Sequence, residues 1–126
     1  MTAREQGRSL ATQLGFSGSD PIIITTAISE IARNIVEHAE KGEVILQLVK
    51  ENSRHGIAII AQDKGPGIPD VARAMQDGFS TGGGLGLGLP GAKRLMDEFK
   101  IISEVGKGTT IHMKKWKSPR IQITRL

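Results

Sequence analysis

The sequence predicts a small α/β domain, and three observations lead to this fold class. Apolar residues recur at helical spacing before residue 40, with Ile28, Ile31 and Ile35 on one stripe. Two runs rich in Val, Ile and Leu follow at 43–51 and 57–62 and are typical of strands. The chain has 126 residues, of which 38% are hydrophobic, so we expect one core and a single domain over residues 1–126.

The first third of the chain is predicted to be helical. Leu10 and Leu14 lie four apart in a helix over residues 3–14. Asp20 is the predicted N-cap of a second helix, because proline follows it at the first helical position. That helix is expected to run to about Ala39, because Lys41-Gly42 just past its last turn is typical of a helix end.

The remaining elements alternate between strands and helices. The strands at 43–51 and 57–62 are joined by a turn at 52–56, which favours an antiparallel pair. A short helix is expected at 69–75, an irregular glycine loop at 78–88 and a helix at 89–98. Strands at 100–105 and 109–116 form a predicted hairpin around Gly106-Lys107-Gly108.

Composition excludes several classes of protein. There is no cysteine, no apolar run near the roughly 18 residues that span a bilayer, and no signal-peptide core, which favours a cytoplasmic protein without a membrane partner. The net charge of +4 comes from the end of the chain: five basic residues follow from Lys114 onward, and the rest has 12 basic against 13 acidic residues. Since only three Phe and one Trp are available for base stacking, we expect no nucleic-acid partner. Residues 117–126 are interpreted as a basic tail.

The first motif that can carry chemistry is the pair Glu30 and Asn34. Four residues separate them, so they lie one above the other on a helix face, with Arg33 beside them. They border the apolar stripe, where a pocket could open. Taken alone, the pair also fits a solvated helix face.

Two glycine motifs follow. Asp63 ends the second strand in Asp63-Lys64-Gly65-Pro66-Gly67, where a carboxylate could accept a hydrogen bond from a purine amino group; a tight turn is the alternative. Gly82-Gly83-Gly84-Leu85-Gly86-Leu87-Gly88 precedes a helix, a pattern that suits phosphate binding by backbone amides; a flexible surface loop is the alternative. Lys93 and Arg94, in that helix, are candidates for phosphate charge or for a solvated face.

In this order and spacing, the motifs resemble the nucleotide-binding domain shared by gyrase, a heat-shock chaperone, sensor histidine kinases and mismatch-repair ATPases, the GHKL family. Phe79-Ser80-Thr81 and Gly108-Thr109-Thr110 are similar to two further family segments. The resemblance implies the Bergerat-type ATP-binding fold, an α+β two-layer sandwich whose mixed, mostly antiparallel sheet is covered on one face by helices.

A narrower resemblance is to the RsbT-like serine/threonine-protein kinases, the switch kinases of the stressosome. It extends over about residues 2–116 and is carried by 25–34, 77–81 and 89–99. It implies ATP and Mg²⁺ as cofactors, Glu30 as general base, Asn34 as the Mg²⁺ ligand and Asp63 as the adenine ligand. The remaining nucleotide-binding residues that it implies are Arg33, Gly65, Gly67, Ile68, Gly82, Gly83, Gly84, Leu85, Gly86, Leu87, Gly88, Thr109 and Thr110.

The implied function is phosphorylation of STAS-domain regulatory proteins in a bacterial stress-signalling switch, with a phosphatase or other output protein as a second partner. The alternative is a nucleotide-bound protein that sequesters or activates a sigma factor or a phosphatase without significant turnover. A histidine kinase is disfavoured because no two-helix segment with a phospho-accepting His is present, and a gyrase-type ATPase would need a second domain. The chain departs from RsbT-like proteins in lacking a strand before its first helix and in its longer basic tail.

Overall fold

A computed structural model of the protein describes residues 2–39, 41–75 and 88–117. Its elements follow the order α1 (Ala3–Gln13), α2 (Asp20–His38), β1 (Gly42–Glu51), β2 (Arg54–Asp63), α3 (Val71–Ala74), α4 (Gly88–Leu95), β3 (Glu98–Glu104) and β4 (Gly108–Trp116). The described strands form one antiparallel sheet with the order β1-β2-β4-β3. Helices α1 and α4 pack against α2, which contacts the sheet. The predicted α/β fold class is confirmed.

The core lies between α2 and one face of the sheet. Ile24, Ile28 and Ile31 are fully buried on α2, at the spacing that the helical stripe predicts. Their counterparts on the sheet include Ile59 of β2 and Ile111 of β4. Because side chains alternate along a strand, the other sheet face carries the more polar positions.

Most element boundaries differ from the prediction by a few residues, and three of these differences affect α2, β2 and α4. Ser19, not Asp20, is the N-cap of α2. The β1–β2 turn is shorter than predicted, since β2 already begins at Arg54. Helix α4 ends at Leu95 rather than Glu98, and Glu98 is instead the first residue of β3.

Tertiary contacts explain the early end of α4. The Asp97 carboxylate accepts a hydrogen bond from the Trp116 backbone N–H at 2.7 Å, and the Glu98 carboxylate accepts one from the Trp116 indole at 2.8 Å. Residues 97 and 98 are thereby bound to β4, and this pairing outweighs their helical spacing.

Among the described residues, no helix combines the length and apolar character that crossing a bilayer requires.

Candidate functional site

Helix α2 carries the first three predicted site residues. Its apolar stripe faces the core, and Glu30, Arg33 and Asn34 occupy the edge of that stripe. Glu30 is buried with 6% of its side chain exposed, whereas Arg33 and Asn34 are half-buried. A carboxylate at this depth needs polar partners, because burying an isolated charge is costly.

Glu30 has two such partners. Its Oε2 accepts a hydrogen bond of 3.1 Å from the backbone N–H of Gly88, the first residue of α4. Its Oε1 lies 3.7 Å from Nη1 of Arg33. The first N–H groups of a helix carry partial positive charge and attract anions. The Glu30 carboxylate therefore lies in a favourable place, at the N-terminus of α4, where Gly88 ends the glycine motif over 82–88.

Asn34 lies at the same end of the molecule as Asp63. A Cβ built on Gly42 would lie 2.7 Å from Cγ2 of Ile35 and 3.1 Å from Cβ of Asp63. Since Ile35 adjoins Asn34, the second half of α2 and the end of β2 meet at Gly42. Asn34 makes no side-chain hydrogen bond with any described residue, so its amide has free capacity for a ligand.

Asp63 ends β2 on the helix-covered face of the sheet. One carboxylate oxygen, Oδ1, accepts a 2.9 Å hydrogen bond from the Gly65 N–H. This local bond shapes the turn as an aspartate side chain often does. It leaves most of the acceptor capacity of the carboxylate available.

The glycines after Asp63 lie against protein rather than open space. A Cβ on Gly65 would approach Cβ of Ala39, at the end of α2, to 2.5 Å. A Cβ on Gly67 would approach the carbonyl oxygen of Glu104 to 2.4 Å, and the φ of Gly67 is +80°. Both glycines thus let the loop fit between α2 and the β3–β4 turn.

The strand register separates Thr109 from Thr110. Thr109 pairs with Asp63 across β2 and β4, so both side chains project from the same face, and Thr109 is 5% exposed. Thr110 pairs with Gln62 and projects from the opposite face. Of the two threonines, only Thr109 therefore lies on the same sheet face as Asp63, and nucleotide contact by either one stays a prediction.

Most of the third motif lies outside the described residues: Gly82, Gly83, Gly84, Leu85, Gly86 and Leu87, as well as Phe79-Ser80-Thr81. Gly88 is described and has a φ of +55°, a conformation that favours glycine. Lys93 and Arg94 are exposed in the last turn of α4, so they lie at the opposite end of the helix from Gly88.

Sequence reasoning missed Ser103, which pairs with Thr109 across β3 and β4. Its hydroxyl lies 2.8 Å from the Thr109 hydroxyl and accepts a 2.7 Å hydrogen bond from the Ile68 N–H. Counting outward from the predicted turn at Gly106-Lys107-Gly108 would have placed Val105, not Ser103, opposite Thr109, so the predicted hairpin could not identify Ser103. Ile68, a predicted site residue, thus reaches this network through its backbone.

Comparisons with known proteins agree with this fold. The family described as "Histidine kinase-, DNA gyrase B-, and HSP90-like ATPase" matches residues 19–119. The serine/threonine-protein kinase RsbT of Bacillus subtilis (strain 168) is 54% identical over 116 residues, which cover 92% of this chain and 87% of that protein. The anti-sigma F factor of Geobacillus stearothermophilus is 32% identical over 120 residues, which cover 90% and 81%. Full-length ShkA, crystallised in complex with AMPPNP, shares the fold with a TM-score of 0.61 at 22% identity, over 94% of this chain and 30% of that one.

Proposed function

Because this chain belongs to the family of histidine kinase-, DNA gyrase B- and HSP90-like ATPases, we propose that it transfers the γ-phosphoryl group of ATP to a serine or threonine of a STAS-domain protein. The resemblance to RsbT-like kinases is confirmed, and identity to a serine/threonine-protein kinase over nearly the whole chain supports protein kinase activity. A cytoplasmic protein of a stressosome-type switch is the setting that this resemblance implies.

The contact between Glu30 and Gly88 carries the proposal. Phosphoryl transfer depends on positioning and charge stabilisation, with one residue orienting the attacking hydroxyl. The Glu30 carboxylate is buried and lies at the N–H of Gly88, where the glycine motif meets a helix N-terminus. An ATP γ-phosphate bound by that motif would lie close to the carboxylate. Glu30 would then orient the substrate hydroxyl and take its proton.

Asp63 and Thr109 would hold the base. The carboxylate of Asp63 would accept a hydrogen bond from the adenine amino group, and Thr109 is its neighbour on the same sheet face. Arg33, whose guanidinium lies 3.7 Å from Glu30, would keep the carboxylate oriented and add positive charge near the phosphates.

Asn34 would be the protein ligand of Mg²⁺. No group of three or more His, Asp or Glu side chains within the described ranges is placed to hold a metal ion. A single side-chain amide oxygen fits an ion that takes its other ligands from phosphate and water, as Mg²⁺ commonly does. When bound, Mg²⁺ would neutralise charge on the phosphate oxygens.

A test of the kinase function is transfer of labelled phosphate from Mg²⁺-ATP to a purified STAS domain. We expect Glu30→Gln to slow transfer by about 10²- to 10⁴-fold, because the amide cannot take a proton. Its side-chain oxygen can still accept from Gly88, so the Kd for ATP should change less than about threefold. The matched control is Glu37→Gln, an exposed residue of the same helix, which should transfer at the normal rate. Normal transfer by Glu30→Gln would contradict the assignment of the base.

The similarity to an anti-sigma factor favours a second candidate, a binding switch that holds ATP and sequesters a regulatory protein. The same assay separates the two functions. Tight binding of the STAS domain by the wild-type protein, without any transfer of labelled phosphate to that domain, would support the switch over the kinase.

A further inference from the structure

A row of residues crosses the sheet at the end where Asp63 lies. The register pairs Gly42 with Asp63, Asp63 with Thr109, and Thr109 with Ser103, one residue from each strand. The next row inward on the same face is apolar, with Ala61 beside Ile111 in the core. The polar side chains Asp63, Thr109 and Ser103 therefore lie side by side at the margin of the core.

Ser103 is hydrogen-bonded on three sides. The Ile68 backbone N–H donates to its Oγ at 2.7 Å. Its Oγ also lies 2.8 Å from Oγ1 of Thr109 and donates to the carbonyl oxygen of Gly108 at 3.3 Å. A serine hydroxyl has one proton to donate and two lone pairs that accept, so these three contacts use its whole capacity.

The 2.8 Å contact alone allows either hydroxyl to be the donor, but only one arrangement of the two hydroxyl protons satisfies all three contacts at once. The Gly108 carbonyl can only accept, so it takes the single proton of Ser103. The Ile68 N–H can only donate, so it uses one lone pair of Ser103. The remaining lone pair must accept the proton of Thr109. Thr109 therefore has no proton left for a ligand, and its Oγ1 can act toward one only as an acceptor.

We infer that Ser103 is a positioning residue that makes the pocket selective for a purine with an amino group at position 6. This rests on the proposed function, in which the base lies at Asp63 and Thr109. Both groups facing position 6, the carboxylate and the oriented Thr109 hydroxyl, are then acceptors. A 6-amino group donates to such a pair, whereas a 6-carbonyl oxygen meets acceptors on both sides and leaves them unpaired.

The test compares ATP with ITP. ATP has an amino group at position 6 of the purine, whereas ITP has a carbonyl there and an N–H at the neighbouring ring nitrogen. Kd values for both are measured by competition against labelled ATP. In Ser103→Ala, Thr109 loses its acceptor and its hydroxyl can turn to donate. We expect the ratio Kd(ITP)/Kd(ATP) to fall at least about tenfold relative to wild type, the effect of roughly one matched hydrogen bond. Equal weakening of both nucleotides would assign Ser103 a structural role only and overturn the inference.

Two further variants keep the test decisive if Ser103→Ala folds poorly. Thr109→Val removes the hydroxyl without changing the shape of the side chain. The ratio should fall if that hydroxyl accepts, and a rise would show that it donates, against the inference. Ser103→Thr retains the hydroxyl and should keep the wild-type ratio; loss of selectivity there counts against the inference as well. If wild type binds neither nucleotide, both the proposed function and this inference are overturned.

Discussion

At the scale of single residues, the site uses polar groups whose hydrogen-bonding capacity is left partly open. Asn34 is half-buried and makes no side-chain hydrogen bond with the rest of the described chain. Glu30, one turn earlier, has a hydrogen bond to one carboxylate oxygen and an ion pair at the other. No buried side-chain nitrogen or oxygen of the described residues lacks a hydrogen-bond partner, so the unbonded amide of Asn34 is accessible to solvent. That amide is therefore also accessible to a metal–phosphate ligand.

The first prediction at this scale concerns Asn34→Ala. Loss of the amide oxygen should raise the Mg²⁺ concentration needed for half-maximal ATP binding by about tenfold, because one of few protein contacts to the ion is gone. Binding of ATP in the absence of Mg²⁺ should be nearly unchanged. Isothermal titration calorimetry at a series of Mg²⁺ concentrations measures both.

The matched control for Asn34→Ala is Val36→Ala, an exposed position on the same turn of α2, which should bind like wild type. If Asn34→Ala shows the same dependence on Mg²⁺ as wild type, the ion is held by other groups.

Which residue types matter could be predicted from the sequence, but their partners could not. The four-residue spacing of Glu30 and Asn34 places them on one helix face by periodicity alone. The bond from Gly88 to Glu30 joins residues 58 apart in the chain, and no local pattern encodes it. The inferred direction of the Thr109 hydroxyl hydrogen bond likewise depends on distant residues, Ser103 on the neighbouring strand and the backbone N–H of Ile68.

At the scale of elements, the β3–β4 turn supports the loop that follows Asp63. The Gly106 N–H donates to the carbonyl of Pro66 at 2.9 Å, and Gly67 lies against the carbonyl of Glu104. A Cβ on Gly108 would lie 2.1 Å from the carbonyl oxygen of Asp63. The turn and the loop thus contact each other through backbone, with no room for a side chain at Gly108.

This packing gives a matched pair of glycine substitutions for the second prediction. Gly106 and Gly108 both have positive φ, +84° and +114°, but only Gly106 has open space around its Cβ position. Gly106→Ala should lower the free energy of unfolding by about 1–2 kcal/mol through strain alone. Gly108→Ala should lower it by about 2 kcal/mol more, because backbone must also move.

Urea unfolding of both variants, followed by circular dichroism, measures that difference. Equal destabilisation by the two substitutions would show that the close approach of Gly108 to the Asp63 carbonyl does not contribute to stability. The β3–β4 turn would then not support the loop after Asp63.

The order and type of most elements could be predicted, because α2, β1 and β2 have clear periodicity and short turns. The end of α4 could not. Residues 95–99 have helical spacing, but Asp97 and Glu98 are bonded to Trp116 and 98–99 join the sheet. Pairing between strands distant in sequence decided this boundary, and local propensity is a weak guide against it.

At the scale of the whole molecule, α2 connects the stability of the fold to its proposed activity. The same helix buries Ile24, Ile28 and Ile31 in the core and presents Glu30 and Asn34 at one end of the sheet. Because the core fixes the helix against β2, Asn34 and Asp63 are brought to the same end before any nucleotide arrives. Such preorganisation reduces the entropy lost on binding.

The positive charge at the end of the described chain is partly neutralised within the fold. Lys114 and Lys115 lie 3.9 and 3.5 Å from the carboxylates of Glu98 and Asp97. These ion pairs weaken the case for a basic nucleic-acid surface built on β4. Residues 118–126 lie outside the described residues, so the interpretation of 117–126 as a basic tail stays a prediction.

The central claim is that α2, the end of β2 and Thr109 of β4 form one pocket for ATP, with Asp63 as the ligand of the base. Calorimetric titration of Mg²⁺-ATP into wild type and Asp63→Asn tests it most directly. Wild type should bind with one site, and Asp63→Asn should bind at least about tenfold more weakly, because an amide replaces the charged acceptor. Absence of ATP binding by wild type, or equal binding by Asp63→Asn, would contradict the account.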